Sequence, residues 1–421
     1  MIGKTGADPA ADARPLLATG QQLSLSTYWF SLNFLWGGLL SIVIPAQVLL
    51  YVPDERKGFY FGLSMATGAF LATIIQPIVG ALSDRSAFRL GRRRPYVLLG
   101  SVLSVAALAG MAYAPVLGVF IASLFVLQLT ANVSGAAYQG MIPDLVPASQ
   151  RGAASGYMGL MSILGTAVAS VSAGLMLDSG LRVGFYWLTV VIMVAGMIVT
   201  VAGVVETPLQ ERRRLSWKEF WGDFWISPKK HPDFAWLFVT RFLVMVGFYA
   251  VYLFLEYYLK DVLQMRNYAT ATMTVVMAVL AGSVAATFTA GWLSDRAGRK
   301  VIVFIAGLLM ATTCFVLIST RSYPLVVAFG VVFGLGYGAY LSVDWALAVD
   351  VLPAAKNAAK DLGIWSIAVT LPQVIVTAIG GPVLDVYNKV AAGLGYTVVF
   401  ASAIACLMLG SVLVWKIRGS R

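Results

Sequence analysis

The sequence predicts an all-α membrane protein of twelve transmembrane helices arranged as two six-helix bundles, and three observations carry that expectation. Of 421 residues, 59% are hydrophobic and 12% charged, against the roughly 25% charged share of a water-soluble domain. Such a surface has to face lipid. The apolar runs continue for about 20 residues, the length of a helical span, instead of alternating over about 10 as barrel strands do. Helices are also the open-ended structures that satisfy their own backbone hydrogen bonds in hydrocarbon. Finally, the pattern Gly-x-x-Ser-Asp-Arg at Gly80–Arg85 recurs at Gly291–Arg296, and Asp144-Leu-Val-Pro147 is echoed by Asp350-Val-Leu-Pro353. Each half of the chain therefore repeats the plan of the other.

In chain order, a window of about 19 residues places the first six spans at 27–50, 58–82, 95–114, 117–142, 152–177 and 184–205. The second six fall at 234–258, 268–293, 300–319, 323–348, 361–384 and 393–415. Residues 1–26 are polar, with no signal-peptide core, and read as a cytoplasmic tail. Residues 27–205 form the N-terminal bundle, 206–233 a cytoplasmic linker, 234–416 the C-terminal bundle, and 417–421 a second tail. Within the linker Trp217, Phe220, Trp221, Phe224 and Trp225 recur at helical spacing, as expected of a helix lying in the interface.

The formal charge of +11 is distributed unevenly. One side holds only Arg56, Lys57, Arg182, Lys260, Arg266, Arg321 and Lys389; the remainder of the 30 Lys and Arg lie opposite. By the positive-inside rule both termini are cytoplasmic. The charge thus reports topology in a multi-pass protein of a cell membrane, plasma or bacterial inner, and no nucleic-acid partner is expected. Cys314 and Cys406 sit in apolar runs and His231 in the linker, so neither a disulfide framework nor a histidine relay is available. The sequence has no phosphate loop and no HExxH pair. We expect no enzyme activity, no cofactor and no metal.

The loop from Gly80 through Arg85, Gly91 and Arg92 to Pro95 resembles the signature loop of the major facilitator superfamily, and span count, central linker and the second copy at Gly291, Asp295 and Arg296 extend the resemblance over nearly the whole chain. The resemblance implies the major facilitator fold and a gating role for Gly80, Asp84, Arg85, Gly91, Arg92, Gly291, Asp295 and Arg296. Chemically, Asp84 and Asp295 suit pairing with a nearby Arg and a helix N-terminus, while Gly80 and Gly291 allow helices to approach. The basic run Arg92-Arg93-Arg94 is similar to that of the plant sucrose and proton symporters, their animal relatives, and the glycoside-pentoside-hexuronide cation symporters. Where the plant carriers use an Asp and an Arg in span four, this chain has Gln128 and Gln139, so coupling chemistry of that type is not expected here.

Candidate substrate contacts follow from polar and aromatic residues at helical spacing. Gln128, Asn132, Gly135 and Gln139 form one stripe on span four, and amides bond a neutral polyol without charge. Asn33 and Trp36 in span one join them. Span seven carries Arg241, Met245, Tyr249, Tyr252 and Glu256 on one stripe, and span ten adds Tyr337, Tyr340 and Asp344 beside the packing glycines Gly330, Gly334 and Gly338. Trp365 in span eleven offers a stacking face. An ionised Asp in a bilayer costs about 2.5–3.5 kcal/mol, so Asp344 needs a proton, a cation or Arg241. Asp344, Arg241 and Glu256 are therefore the candidate coupling groups. The expected function is secondary active transport of a small polar solute, a sugar or glycoside, with a proton or monovalent cation, by a protein able to act as a monomer. A drug or metabolite exporter of the same fold is the alternative, and a non-transporting membrane receptor the reading from another class.

Overall fold

The computed structural model describes residues 15–204, 206, 229–350 and 358–418. Within its helices some side chains, among them those at 69–73, 291, 295, 349 and 350, lie outside the description. The helices are α1 (Thr19–Val48), α2 (Lys57–Ser83), α3 (Arg94–Ala112), α4 (Leu117–Leu145), α5 (Arg151–Asp178) and α6 (Arg182–Gly203). They continue as α7 (Pro232–Asp261), α8 (Tyr268–Ala297), α9 (Arg299–Ser319), α10 (Tyr323–Asp350), α11 (Ala358–Val390) and α12 (Leu394–Leu413). Among the described residues, eleven helices are long and apolar enough to cross a membrane; α2 contributes the shorter apolar stretch Ile74–Ser83. Large apolar side chains such as Leu103, Val191, Ile198 and Phe315 are exposed along these helices, as a lipid-facing surface requires. The predicted linker lies almost wholly outside the described residues, its interfacial helix included, as does the Asp350–Pro353 echo.

Two compact units emerge. The first comprises Met1–Gly38, Ile74–Ala169 and Arg182–Leu215; the second comprises Leu39–Thr73, Ser170–Leu181 and Ser216–Arg421. In the first unit the core gathers Tyr28, Val97, Tyr138 and Met141. Its tyrosines bury their hydroxyls against partners, Tyr138 donating to the Leu25 carbonyl at 2.7 Å and Tyr28 lying 2.6 Å from the Ser101 hydroxyl. A Cβ on Gly100 of α3 would stand 2.7 Å from the Thr130 carbonyl of α4, so the α3–α4 approach depends on glycine.

In the second unit α10 packs on α8 along its glycine face. A Cβ added at Gly334 or Gly338 would meet the carbonyls of Val279 or Ser283 at 2.0 or 2.2 Å. The packing role read from the four-residue glycine repeat is thus realised. The start of α2 joins α11 in a similar way: Asp385 accepts hydrogen bonds from the N–H groups of Gly58 and Phe59 at 2.9 and 2.7 Å. Next to it, Lys57 pairs with Asp261, and Tyr396 donates to the same carboxylate at 2.5 Å. Lys260 reaches Asp54 at 2.8 Å. Burial works against the Asp54 charge, but the Lys260 and Lys57 ammonium groups outweigh it and hold its carboxyl below the ordinary value.

Candidate functional site

In the second unit the site is built on α7. Pro232 opens this helix, Asp233 occupies its first turn and Lys260 its last, charges that suit the helix dipole at each end. The 30-residue length lets one helix carry Arg241 and Glu256 on the same face, about 22 Å apart along the axis at 1.5 Å per residue. Arg241 pairs with Asp344 of α10, and Tyr340, one turn earlier on α10, donates to the other Asp344 oxygen at 3.0 Å. The Arg241 guanidinium also lies 3.3 Å from the ring centroid of Trp365 on α11, a desolvated cation–π contact. The predicted residues Arg241, Asp344, Tyr340 and Trp365 are therefore brought into one cluster.

A second group stacks beside it. Phe248 of α7 lies 4.1 Å from Tyr337 and 5.5 Å from Tyr252, centroid to centroid, with nearly parallel planes. Tyr249 meets Phe248 edge-on at 5.3 Å. Tyr252 hydrogen-bonds Ser41, which sits in the π-helical turn Leu39–Val43 of α1, a distortion that often marks functional sites. Met245 is fully buried and contributes packing. Glu256 is also fully buried, and neither carboxyl oxygen has a hydrogen-bond partner among the described residues. The fit of the Phe248 ring among three tyrosines escapes sequence reading, because a Phe in an apolar span carries no distinguishing signal.

In the first unit Asn132 of α4 accepts a hydrogen bond from Gln76 of α2 at 2.7 Å and donates to the Gln128 carbonyl at 2.7 Å. Gln128 and Gly135 are buried, Asn132 half-buried and Gln139 exposed, so the stripe grades from core to surface. Asn33 of α1 donates to the Trp29 carbonyl at 2.8 Å and accepts from Ser162 of α5 at 2.7 Å; Trp36 is half-buried. Gln76 and Ser162 were not singled out by sequence, although Gln76 before a proline inside an apolar span was a visible signal.

The signature loop is organised by Arg93. Its guanidinium pairs with Asp84, donates to Asp144 at 2.5 Å and reaches the Ser83 hydroxyl at 3.3 Å. Arg92 also pairs with Asp144, whereas Arg85 donates to the Ala81 carbonyl of its own helix at 3.0 Å. Arg93 lies flat on α4 because residue 140 is glycine: a Cβ there would meet Nη1 at 1.7 Å. The N-terminus of α3 takes the carboxylate of Glu206, which accepts from the N–H groups of Arg93 and Arg94 at 3.0 and 3.2 Å. Gly91 turns the chain at φ +104, where a Cβ would strike Glu206 at 2.3 Å.

Asp84 finds the expected Arg partner in Arg93, while the N-terminus of α3 is taken by Glu206. Gly80 makes no close approach among the described residues, since a Cβ there meets nothing within 4 Å. At the second copy the surroundings of Gly291 and the Asp295 side chain lie outside the description, and Arg296 is exposed.

Comparison with known proteins agrees with this architecture. The model of the MFS/sugar transport protein family matches residues 57–396. The general alpha-glucoside permease of Schizosaccharomyces pombe is 34% identical over 110 residues, which are 22% of this chain and 20% of the permease. The fujikurins efflux protein of Gibberella fujikuroi is 24% identical over 346 residues, 80% of this chain and 67% of that protein. The chain thus spans only about a fifth of the permease. Among solved structures, the nucleoside transporter NupG superposes with a TM-score of 0.72 at 13% identity, covering 94% of this chain and 98% of that one. A D-xylose-proton symporter gives 0.70 at 15% identity, covering 94% and 97%. At these identities the structures speak for the fold alone. The family match extends over most of the chain, and with the helical architecture it shows that this protein belongs to the MFS/sugar transport protein family.

Proposed function

We propose that this chain is a secondary active transporter that moves a sugar or glycoside by alternating access, coupled to a proton or another monovalent cation. The observation that carries the reading is the stack of Phe248 on Tyr337 at 4.1 Å, one turn along α10 from the Tyr340 hydroxyl and two turns from Asp344, which pairs with Arg241 of α7. Aromatic faces beside hydrogen-bonding groups suit the apolar face and hydroxyl edge of a pyranose. The amides of Gln76, Gln128, Asn132 and Asn33, with Gln139 and Trp36, offer further uncharged contacts, and Tyr249, Tyr252 and Trp365 further rings. Asp344, Arg241 and Glu256 are the candidate coupling groups. Gly80, Asp84, Arg85, Gly91, Arg92, Gly291, Asp295 and Arg296 are assigned to gating. The chain is read as twelve spans in two bundles, 27–205 and 234–416, joined by 206–233, with both termini cytoplasmic in a cell membrane, acting as a monomer.

Relatives support the substrate class in their own names, an alpha-glucoside permease and sucrose transport proteins among them. The relative that aligns with 80% of the chain is an efflux protein, which favours export as the second reading. Purified protein in proteoliposomes separates the two. Radiolabelled maltose, sucrose and xylose are presented outside vesicles with an alkaline interior. Accumulation of at least one, abolished by a protonophore, is the expected result. Absence of sugar flux in either direction contradicts the reading, and extrusion against the gradient favours the exporter.

A further inference from the structure

We propose that Glu256 on α7 is the group that takes up and releases the coupling proton, and that the Asp344–Arg241 pair is not. The inference rests on the proton-linked transport proposed above and names its ion and its carrier. Asp344 is engaged on both oxygens, by Arg241 and Tyr340, so protonating it means dismantling a formed cluster. Glu256 is 0% exposed and neither oxygen has a hydrogen-bond partner among the described residues.

Among the described residues, the surroundings of Glu256 offer no compensating charge. Asp178, at the end of α5, acts on it as a like charge, and that carboxylate is itself held by the N–H of Thr270 on α8 at 2.8 Å. Tyr268 of α8 and Tyr257 of α7 are the titratable neighbours that feel Glu256; no ion pair to Glu256 occurs among the described residues. An ionised, unpaired carboxylate bears its full desolvation cost, while the proton-bound acid bears little of it. The conformation described here therefore suits the proton-bound form. An O–H bond forms on one Glu256 oxygen with a proton taken from water, and breaks when a second conformation returns that proton to water. No electron transfer is involved. Because loading requires wetting of this site, proton movement and conformational exchange are tied together, as coupled transport demands.

The experiment pairs a substrate-independent readout with a transport assay. Infrared difference spectra of the purified protein across a pH series report the carboxylic-acid C=O band. We expect a band that Glu256→Gln removes and Asp344→Asn leaves in place. In proteoliposomes Glu256→Gln should keep sugar counterflow and lose pH-driven accumulation, and Glu256→Asp should restore part of it. A Glu256→Gln protein that loses counterflow together with its fold leaves the wild-type band and the Glu256→Asp variant to decide. Loss of no band in Glu256→Gln, or full accumulation by that variant, overturns the proposal. If wild-type protein carries no sugar at all, the transport reading fails instead, and the infrared band still reports whether Glu256 binds a proton.

Discussion

Asp344 and Glu256 are both carboxylic acids buried in the second unit, and the protein treats them differently. Asp344 has a guanidinium and a phenol on its two oxygens, and Arg241 is further covered by the Trp365 ring. Glu256 lies on the same helix as Arg241 yet has no partner among the described residues. Depth alone therefore does not single out a coupling acid. The distinction lies in whether the charge is already compensated: on the proposal above, the paired acid serves structure and the uncompensated one exchanges a proton.

Substitutions sharpen that contrast. The largest effect is expected for Asp344→Asn, which strands Arg241 and should destabilise the protein by about 3–5 kcal/mol. Thermal unfolding in detergent should show Arg241→Gln in the same chain recovering part of the loss. Glu256→Gln, in the same assay, should leave the transition unchanged or raise it, because no partner is lost. If the two single variants melt alike, the contrast is broken.

A paired cluster in the other unit tests whether pairing marks gates as well. Arg93→Gln releases Asp84 and leaves Asp144 to Arg92 alone, and should slow transport about tenfold for each 1.4 kcal/mol of barrier added, with substrate affinity unchanged by equilibrium binding. Gly140→Leu should reproduce this by expelling Arg93 from its place on α4. Loss of affinity with normal transport rates would contradict the gating assignment. Uncharged contacts should matter less: Gln76→Ala or Asn132→Ala is expected to weaken sugar binding by about 0.5–1.5 kcal/mol, a few-fold in Kd. No change in either variant would make the amide pair a packing contact.

The smallest effect belongs to the exposed pair of Asp54 and Lys260. The Asp54 carboxyl is held below its ordinary value, so its contribution is present above the unfolded value of about 4 and is lost as pH falls through the lower folded value. With over half of its side chain exposed, that contribution is about 0–1 kcal/mol and is screened by salt. Asp54→Asn should therefore alter stability only slightly at neutral pH. A loss as large as that of Asp344→Asn would show that exposure is not what separates strong pairs from weak ones.

Much of this organisation was legible in the sequence because helical period and hydrophobicity are local. The glycine repeat of α10 packs on α8 as its spacing implied, and Asp344 meets Arg241, whose comparable depths could be counted along two spans. Other features depend on tertiary approach. That Arg93, rather than Arg85 or Arg92, becomes the hub of the signature loop follows from Gly140 and Ser83, residues too common to attract notice. Glu206 caps α3 from more than a hundred residues away, and Phe248 gains significance only from the rings around it. Above all, the absence of a partner for Glu256 among the described residues has no sequence signature: it depends on every helix that packs near it.

Proton-coupled sugar movement is tested most directly by recording pH inside proteoliposomes with a trapped fluorescent indicator while sugar is added outside, with no gradient imposed. Sugar entry through the wild-type protein is expected to acidify the lumen, whereas the Glu256→Gln variant should give no acidification while still exchanging labelled sugar in vesicles preloaded with unlabelled sugar. Sugar entry through the wild-type protein at constant internal pH would contradict it.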